Sequence, residues 1–197
     1  MKIFVAITGA SGSIYGRQLI ERLGASDETE RLWVSFTDNG RRVFDLEQPG
    51  YDVAAMPKVQ LLQPDDMFSP PASGSASVDV MIIAPCSMGT AGRVACGVSD
   101  TLISRAADVM LKERRKLIMV VRETPWSLVH LRNMTALAEA GATILPAAPS
   151  FYFNPKDIEE LSATVTDRVM AQIGFVQPRQ WGEEAAASTQ CGIVMQE

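Results

Sequence analysis

Apolar and polar positions along this chain switch between strand-like runs and helical spacing. Ile3 to Ile7 is a continuous apolar run of strand length. It passes through the small residues Gly9-Ala10-Ser11-Gly12-Ser13 into a segment whose apolar positions, Ile14, Leu19, Ile20 and Leu23, fall close to helical period. This predicts a strand, a tight turn and a helix from about Ser13 to Gly24, where the glycine stops it. A second strand is expected over Leu32 to Thr37. A short helix then follows, capped by Asp38-Asn39, carrying Val43, Phe44 and Leu46, and broken at Pro49-Gly50. Residues 48–77 hold no sustained period. Pro57, Pro64, Pro70 and Pro71 exclude long helices there, and the small residues Ser73 to Ser77 suit an active-site loop over 63–77.

The apolar signal is strongest at Val78 to Ala84, which reads as a central strand buried on both faces and ending at Pro85. Cys86-Ser87-Met88-Gly89-Thr90 then repeats the first turn, with small and hydroxyl residues where a helix begins. A helix from Thr101 to about Arg115 turns Leu102, Ile103, Ala106, Val109 and Met110 inward and leaves Arg105, Lys112 and Glu113 outside. Leu117 to Val121 forms the next strand, ended by Arg122-Glu123-Thr124-Pro125. A helix from Ser127 to Ala140, a strand from Ala142 to Leu145, and a helix capped by Asp157 and running to Gly174 complete the series. Strands alternating with helices give an α/β fold, a three-layer doubly wound parallel sheet with ligands at the strands' carboxyl ends. The expected division is a domain over 1–175 and a tail over 176–197, in which Trp181-Gly182-Glu183 suggests a docking point.

With 197 residues, 47% hydrophobic and 21% charged, the chain is long enough for one substantial core. It shows neither a signal-peptide pattern nor an 18-residue apolar span, so the expected location is the cytoplasm, without a membrane partner. Cys86, Cys96 and Cys191 lack C-x-x-C spacing and there is one histidine, so no disulfide framework and no metal site are expected. A formal charge of −5 argues against general nucleic-acid binding. The basic run Lys112 to Lys116 reads as a solvated helix end.

Chemistry concentrates at the strand ends. Gly9 to Ser13 lets backbone N–H groups approach an anion, and the helix N-terminus adds roughly half a positive charge, so the turn reads as a phosphate cradle. The same glycines would also serve a plain tight turn. Thr8-Gly9-Ala10-Ser11-Gly12, Asp38 and Tyr152-x-x-x-Lys156 together suggest a nicotinamide-dependent short-chain oxidoreductase. The spacing fails twice: Gly9-Gly12-Gly16 is one residue longer than G-x-x-G-x-x-G, and Pro155 keeps Tyr152 and Lys156 off one helix face. Cys86, Met88, Met110, Met119 and Met134 read as packing, and His130 as a capping or packing residue.

A set of longer motifs points further: T-G-A-S-G (Thr8 to Gly12), P-P-A-S-G-S (Pro70 to Ser75), P-C-S-M-G-T (Pro85 to Thr90), the run Ser104 to Leu117, R-E-T-P (Arg122 to Pro125), H-L-R-N-M (His130 to Met134) and F-Y-F-N-P (Phe151 to Pro155). In these motifs, which span Met1 to about Gly174, the chain resembles the flavin prenyltransferase family of UbiX type. The resemblance implies a flavodoxin-like, Rossmann-like sheet that binds FMN. It also implies transfer of a dimethylallyl group from dimethylallyl phosphate to reduced FMN, at N5 and C6, making prenylated FMN for a UbiD-type decarboxylase. It places FMN on Gly9, Ala10, Ser11, Thr37, Ser87, Met88, Gly89, Thr90 and Arg122. The prenyl phosphate falls to Tyr152 and Arg168, with Lys112 and Arg105 as phosphate-site or subunit-contact residues.

Three positions depart from the family pattern. Thr37 stands where serine is more frequent, Gly89 where lysine is, and Met67-Phe68 where an aromatic precedes P-P-A-S. Phe68 or Trp181 would then supply an aromatic face to the prenyl pocket.

Breaking the allylic C–O bond leaves an allyl cation and a departing phosphate, so cations and a proton donor are needed at the phosphate. Glu123 is the candidate acid–base and Ser11 a candidate proton relay. By position alone Glu123 serves equally as a salt-bridge partner. A monophosphate donor suits arginines without a metal. The flavin phosphate rests on Gly9 to Ser11 or on Ser87 to Thr90, and the resemblance implies a homo-oligomer, trimers arranged as a dodecamer. Two other readings stand beside this one: a cysteine-decarboxylase-like flavoenzyme, whose relatives use an earlier catalytic histidine and a P-A-S-A-N-T-like loop, and a non-catalytic FMN-binding subunit.

Overall fold

The computed structural model describes residues 1–176; Cys191 and the expected docking point at Trp181-Gly182-Glu183 lie outside the described residues. Six strands, β1 (Lys2–Ile7), β2 (Arg31–Phe36), β3 (Val59–Leu62), β4 (Val80–Cys86), β5 (Lys116–Val121) and β6 (Thr143–Pro146), form one sheet in the order β3-β2-β1-β4-β5-β6. Every neighbouring pair is parallel. The helices are α1 (Ser13–Ala25), α2 (Asp38–Glu47), α3 (Met88–Ala95), α4 (Leu102–Lys112), α5 (Leu128–Glu139) and α6 (Ile158–Gln172).

Side chains of a strand point alternately to its two faces, so each central strand feeds two cores. Phe4, Met81 and Met119 meet α3, α4 and α5 through Val94, Ile103 and Leu137. Ile3, Ile82 and Ile118 meet α1, α2 and α6 through Leu19, Phe44 and Val169. Burial on both sides explains the unbroken apolar runs of β1, β4 and β5, and makes the fold the three-layer, doubly wound α/β sheet expected. From β1 the chain builds outward through β2 to β3, then returns to β4 beside β1 and builds the other way. That reversal opens a crevice at the carboxyl ends of β1 and β4, where doubly wound sheets take their ligands.

Four local expectations need correction. Residues 48–77 contain β3, a short edge strand registered on β2 with Leu32 opposite Val59. Strand β4 does not end at Pro85. It continues to Cys86 across a register shift, and the Pro85 carbonyl accepts from both the N–H and the hydroxyl of Thr8. Helix α2 is capped by Thr37 rather than by Asp38-Asn39, the Thr37 hydroxyl accepting from Gly40 N–H at 3.0 Å. Helix α4 stops at Lys112, because Arg114 takes a left-handed conformation at φ 54° and closes the turn.

The segment 63–77 divides in two. Gln63, Pro64 and Asp65 reach the crevice, while residues 70–74 are held at α4 and the turn after it: Arg105 Nε donates to Ala72 O at 3.1 Å and Arg115 Nη2 to Gly74 O at 2.7 Å. Arg115 is therefore a half-buried pin within the basic run expected to be solvated.

Candidate active site at the sheet's reversal point

A cavity of about 820 Å³ occupies the crevice, within the usual range for a cofactor site. Its walls come from each element that ends there. Gly9 follows β1, Thr37 and Asn39 open α2, and Ser87, Gly89 and Thr90 open α3; Thr101 and Ser104 of α4 close the far side.

Two helix N-termini converge on this space. At α2 the Thr37 hydroxyl caps Gly40 N–H, and at α3 the Ser87 hydroxyl caps Thr90 N–H at 3.3 Å. Each cap satisfies one orphan donor and leaves the first-turn N–H groups, those of Asp38 and Asn39 and of Met88 and Gly89, for a ligand. The hydroxyls of Ser87 and Thr90 also lie 3.1 Å apart. Ser87 is held in place from behind, its N–H donating to Thr8 Oγ1 at 2.8 Å. Met88 buries its side chain in the core, so what it offers the cavity is backbone. Together these donors form a cradle for an anion of phosphate size.

The first turn is already filled. Gly12, at φ 108° in a conformation that favours glycine, turns its N–H and that of Ser13 onto Glu47 Oε2 at 2.9 and 2.7 Å. Burial pushes the Glu47 carboxyl up, but hydrogen bonds from the Ser11 hydroxyl and the N–H groups of Ser13 and Gly12 outweigh it and hold the group below the ordinary carboxylate value. Glu47, the last residue of α2, thus occupies the N–H groups of Gly12 and Ser13 at the start of α1, while the donors at Ser87 to Thr90, with Thr37, stay open beside Gly9. Sequence reasoning missed Glu47 because it lies 34 residues from Ser13 and carries no motif.

Beyond Gly9 and Ala10 the surface continues to Ser11 and Arg122. Arg122 Nε donates to Ser11 O at 3.1 Å, tying the end of β5 to the loop after β1. Tyr15 lies beneath: burial raises its phenol pKa, and the Arg122 charge offsets part of that. Glu123 is exposed, its Oε1 accepting from Thr124 N–H at 3.0 Å, and it forms no ion pair among the described residues, so the salt-bridge alternative is not realised there.

The four expected donor-phosphate residues do not line the cavity. Arg105 and Lys112 stand on α4, engaged with Asp108 and Glu113; Tyr152 and Arg168 are exposed, on the segment after β6 and on α6. Phe68 is fully exposed and also lies off the cavity wall.

Cys86 is buried, its thiol pushed by burial to about 12, and His130 completes the capping box of α5 by accepting from Ser127 N–H through Nδ1; both are structural, as expected. Met88, Met110, Met119 and Met134 are core residues.

The Flavoprotein family model matches residues 1–174. The flavin prenyltransferase UbiX of Pseudomonas aeruginosa is 40% identical over 95% of this chain and 97% of its own length. The chain belongs to the UbiX-type flavin prenyltransferase family. Among solved structures, the dodecameric FMN-dependent UbiX-like decarboxylase of Escherichia coli O157:H7 superposes with TM-score 0.87 at 38% identity, covering 92% of this chain and 100% of that one. AnUbiX (PadA1), solved in complex with FMN and dimethylallyl pyrophosphate, superposes with TM-score 0.82 at 35% identity, covering 91% and 98%. No helix among the described residues is long and apolar enough to cross a membrane.

Proposed function

We propose that this chain transfers the dimethylallyl group of dimethylallyl monophosphate to N5 and C6 of reduced FMN, and that a UbiD-type decarboxylase receives the prenylated FMN. The observation that carries this reading is the open cradle formed by Thr37, Ser87 and Thr90 at two helix N-termini, beside an α1 N-terminus closed by Glu47. A flavin phosphate fits the open cradle, and the cavity has room for the ribityl chain and ring. Gly9, Ala10, Ser11 and Arg122 would hold the ring, on the side where Glu123 stands, and reduced FMN held there would supply the nucleophile.

The chain's own residues handle charge and protons. Arg122, Lys112, Arg105, Tyr152 and Arg168 bind the departing phosphate, which carries away the bonding pair of the allylic C–O bond. None of Arg105, Lys112, Tyr152 and Arg168 lines this chain's cavity, so the donor-phosphate site is completed between copies, with Arg105 and Lys112 offered to a neighbour, and the active unit is a homo-oligomer. Glu123 moves a proton at the phosphate, and Ser11, hydrogen-bonded to Glu47, relays one at the flavin. The cytoplasm, where reduced flavin and prenyl phosphates meet, is the proposed location.

The test is anaerobic incubation with reduced FMN and dimethylallyl monophosphate, and separately with the diphosphate, followed by mass analysis of the flavin. Flavin heavier by one dimethylallyl group with the monophosphate supports the assignment. Unmodified flavin with both donors overturns it.

A further inference from the structure

The cavity wall carries two arginines, Arg42 and Arg93, and three carboxylates, Asp38, Asp65 and Asp100. Arg93 is committed: its Nε lies 3.5 Å from Asp100, and its Nη1 donates to Gly89 O at 3.5 Å. Arg42 forms no ion pair or side-chain hydrogen bond among the described residues, even though Asp38 lies one helical turn behind it. Its neighbour Arg41 behaves differently. That residue pairs with Asp45 at 2.7 Å, lies over the Phe36 ring at 5.3 Å, and is not on the cavity wall.

The cradle itself carries no formal charge, being built from hydroxyls and backbone N–H groups whose helix dipoles supply only partial positive charge. A phosphate monoester carries close to two negative charges at pH 7, and without Arg42 the one remaining cation of the wall would face three carboxylates and the ligand together. Asn39 and Arg42, three residues apart, share a face of α2 and both line the cavity, so the guanidinium is presented over the same wall as the open N–H donors.

We propose that Arg42 is the specificity-determining cation of the flavin site: it closes on the terminal phosphate and selects the phosphorylated flavin over the unphosphorylated one. The planar guanidinium grips two phosphate oxygens at once, which a point charge cannot do. The inference rests on the proposed use of the cavity by FMN, but on binding alone and not on prenyl transfer.

The experiment measures FMN and riboflavin affinity by flavin fluorescence and calorimetry, at low and high salt, for the wild-type chain, Arg42→Ala, Arg42→Lys and the control Arg41→Ala. Removing Arg42 is expected to weaken FMN about 10- to 100-fold, the usual effect of losing a hydrogen-bonded charge pair, while riboflavin is held as before. Arg42→Lys recovers part of the loss, Arg41→Ala changes neither flavin, and the salt dependence of FMN binding shrinks in Arg42→Ala. Arg42 is exposed at the surface of α2, so a matching circular dichroism melt shows that the variant is folded. The proposal is overturned if Arg42→Ala binds FMN like the wild type, loses both flavins equally, or does no worse than Arg41→Ala. A wild-type chain that holds riboflavin as tightly as FMN also overturns it, whether or not the chain prenylates flavin.

Discussion

At Glu47 the carboxyl sits below its ordinary value of 4.5, because hydrogen bonds to the charged form outweigh a burial that alone would raise it. A depressed folded-state pKa stabilises the fold above the unfolded value, and that contribution is lost as pH falls through the folded one. Glu47→Gln should therefore remove part of the wild type's loss of stability below about pH 4.5, and cost about 1 kcal/mol at pH 7, the usual worth of a charged hydrogen-bond set discounted for its partial solvation. Urea unfolding from pH 3 to 7 measures both. Glu123 has no such supporting network. Glu123→Gln keeps the shape and removes the titrating group, so FMN and dimethylallyl phosphate should still bind while single-turnover prenylation falls on the order of a hundred- to ten-thousand-fold. A wild-type rate would end its acid–base assignment.

Among the elements, α2 decides the shape of the cavity, and its seat on β1 depends on one glycine. A Cβ on Gly40 would lie 2.3 Å from the carbonyl oxygen of Ile7, a backbone atom that cannot swing aside. Gly40→Ala should lift the first turn of α2, costing about 1–3 kcal/mol and weakening flavin binding by displacing Thr37 and Asn39; thermal melts and flavin titration check the two effects. The start of α4 offers a milder test. Thr101 and Ser104 form a reciprocal capping box, so Thr101→Ala should lose about 1 kcal/mol, or roughly 2–4 °C in Tm for a chain of this size. The elements hardest to read were those whose pairing comes from elsewhere. Strand β3 is four residues long with only Leu62 buried, and its register with β2 makes it a strand. Likewise, the segment after Asp65 looks like a flexible cover until Arg105 and Arg115 are seen holding its carbonyls.

On the scale of the whole molecule, exposed apolar side chains follow closely on one another at Trp126, Leu128, Val129 and Leu131 and again at Phe151 and Tyr152, while others, such as Leu46 and Phe68, stand apart from them in the chain. Such surface fits contact with further copies, as the proposed sharing of Arg105 and Lys112 between copies requires. A chain with both Leu128→Asp and Val129→Asp should keep its fold, since acidic residues suit the first turn of a helix, yet sediment as a smaller species with reduced prenylation. Full-size particles from that variant would show that assembly uses another face.

The layered α/β class is legible in the residues alone, because strands buried on both faces must be apolar throughout and helices between them must carry one apolar stripe. The sequence also marked the two strand-end turns, where only small and hydroxyl residues permit close backbone approach, and it predicted the structural parts of Cys86, His130 and the methionines. Which of these turns keeps its N–H donors open is settled by tertiary contacts. That depends on Glu47 folding back from the end of α2 onto Gly12 and Ser13, a long-range carboxylate contact with no local periodicity to announce it. Tertiary structure likewise separated Arg42 from Arg41: adjacent in sequence and equal in charge, they differ because the helix turns one toward Asp45 and Phe36 and the other onto the cavity wall.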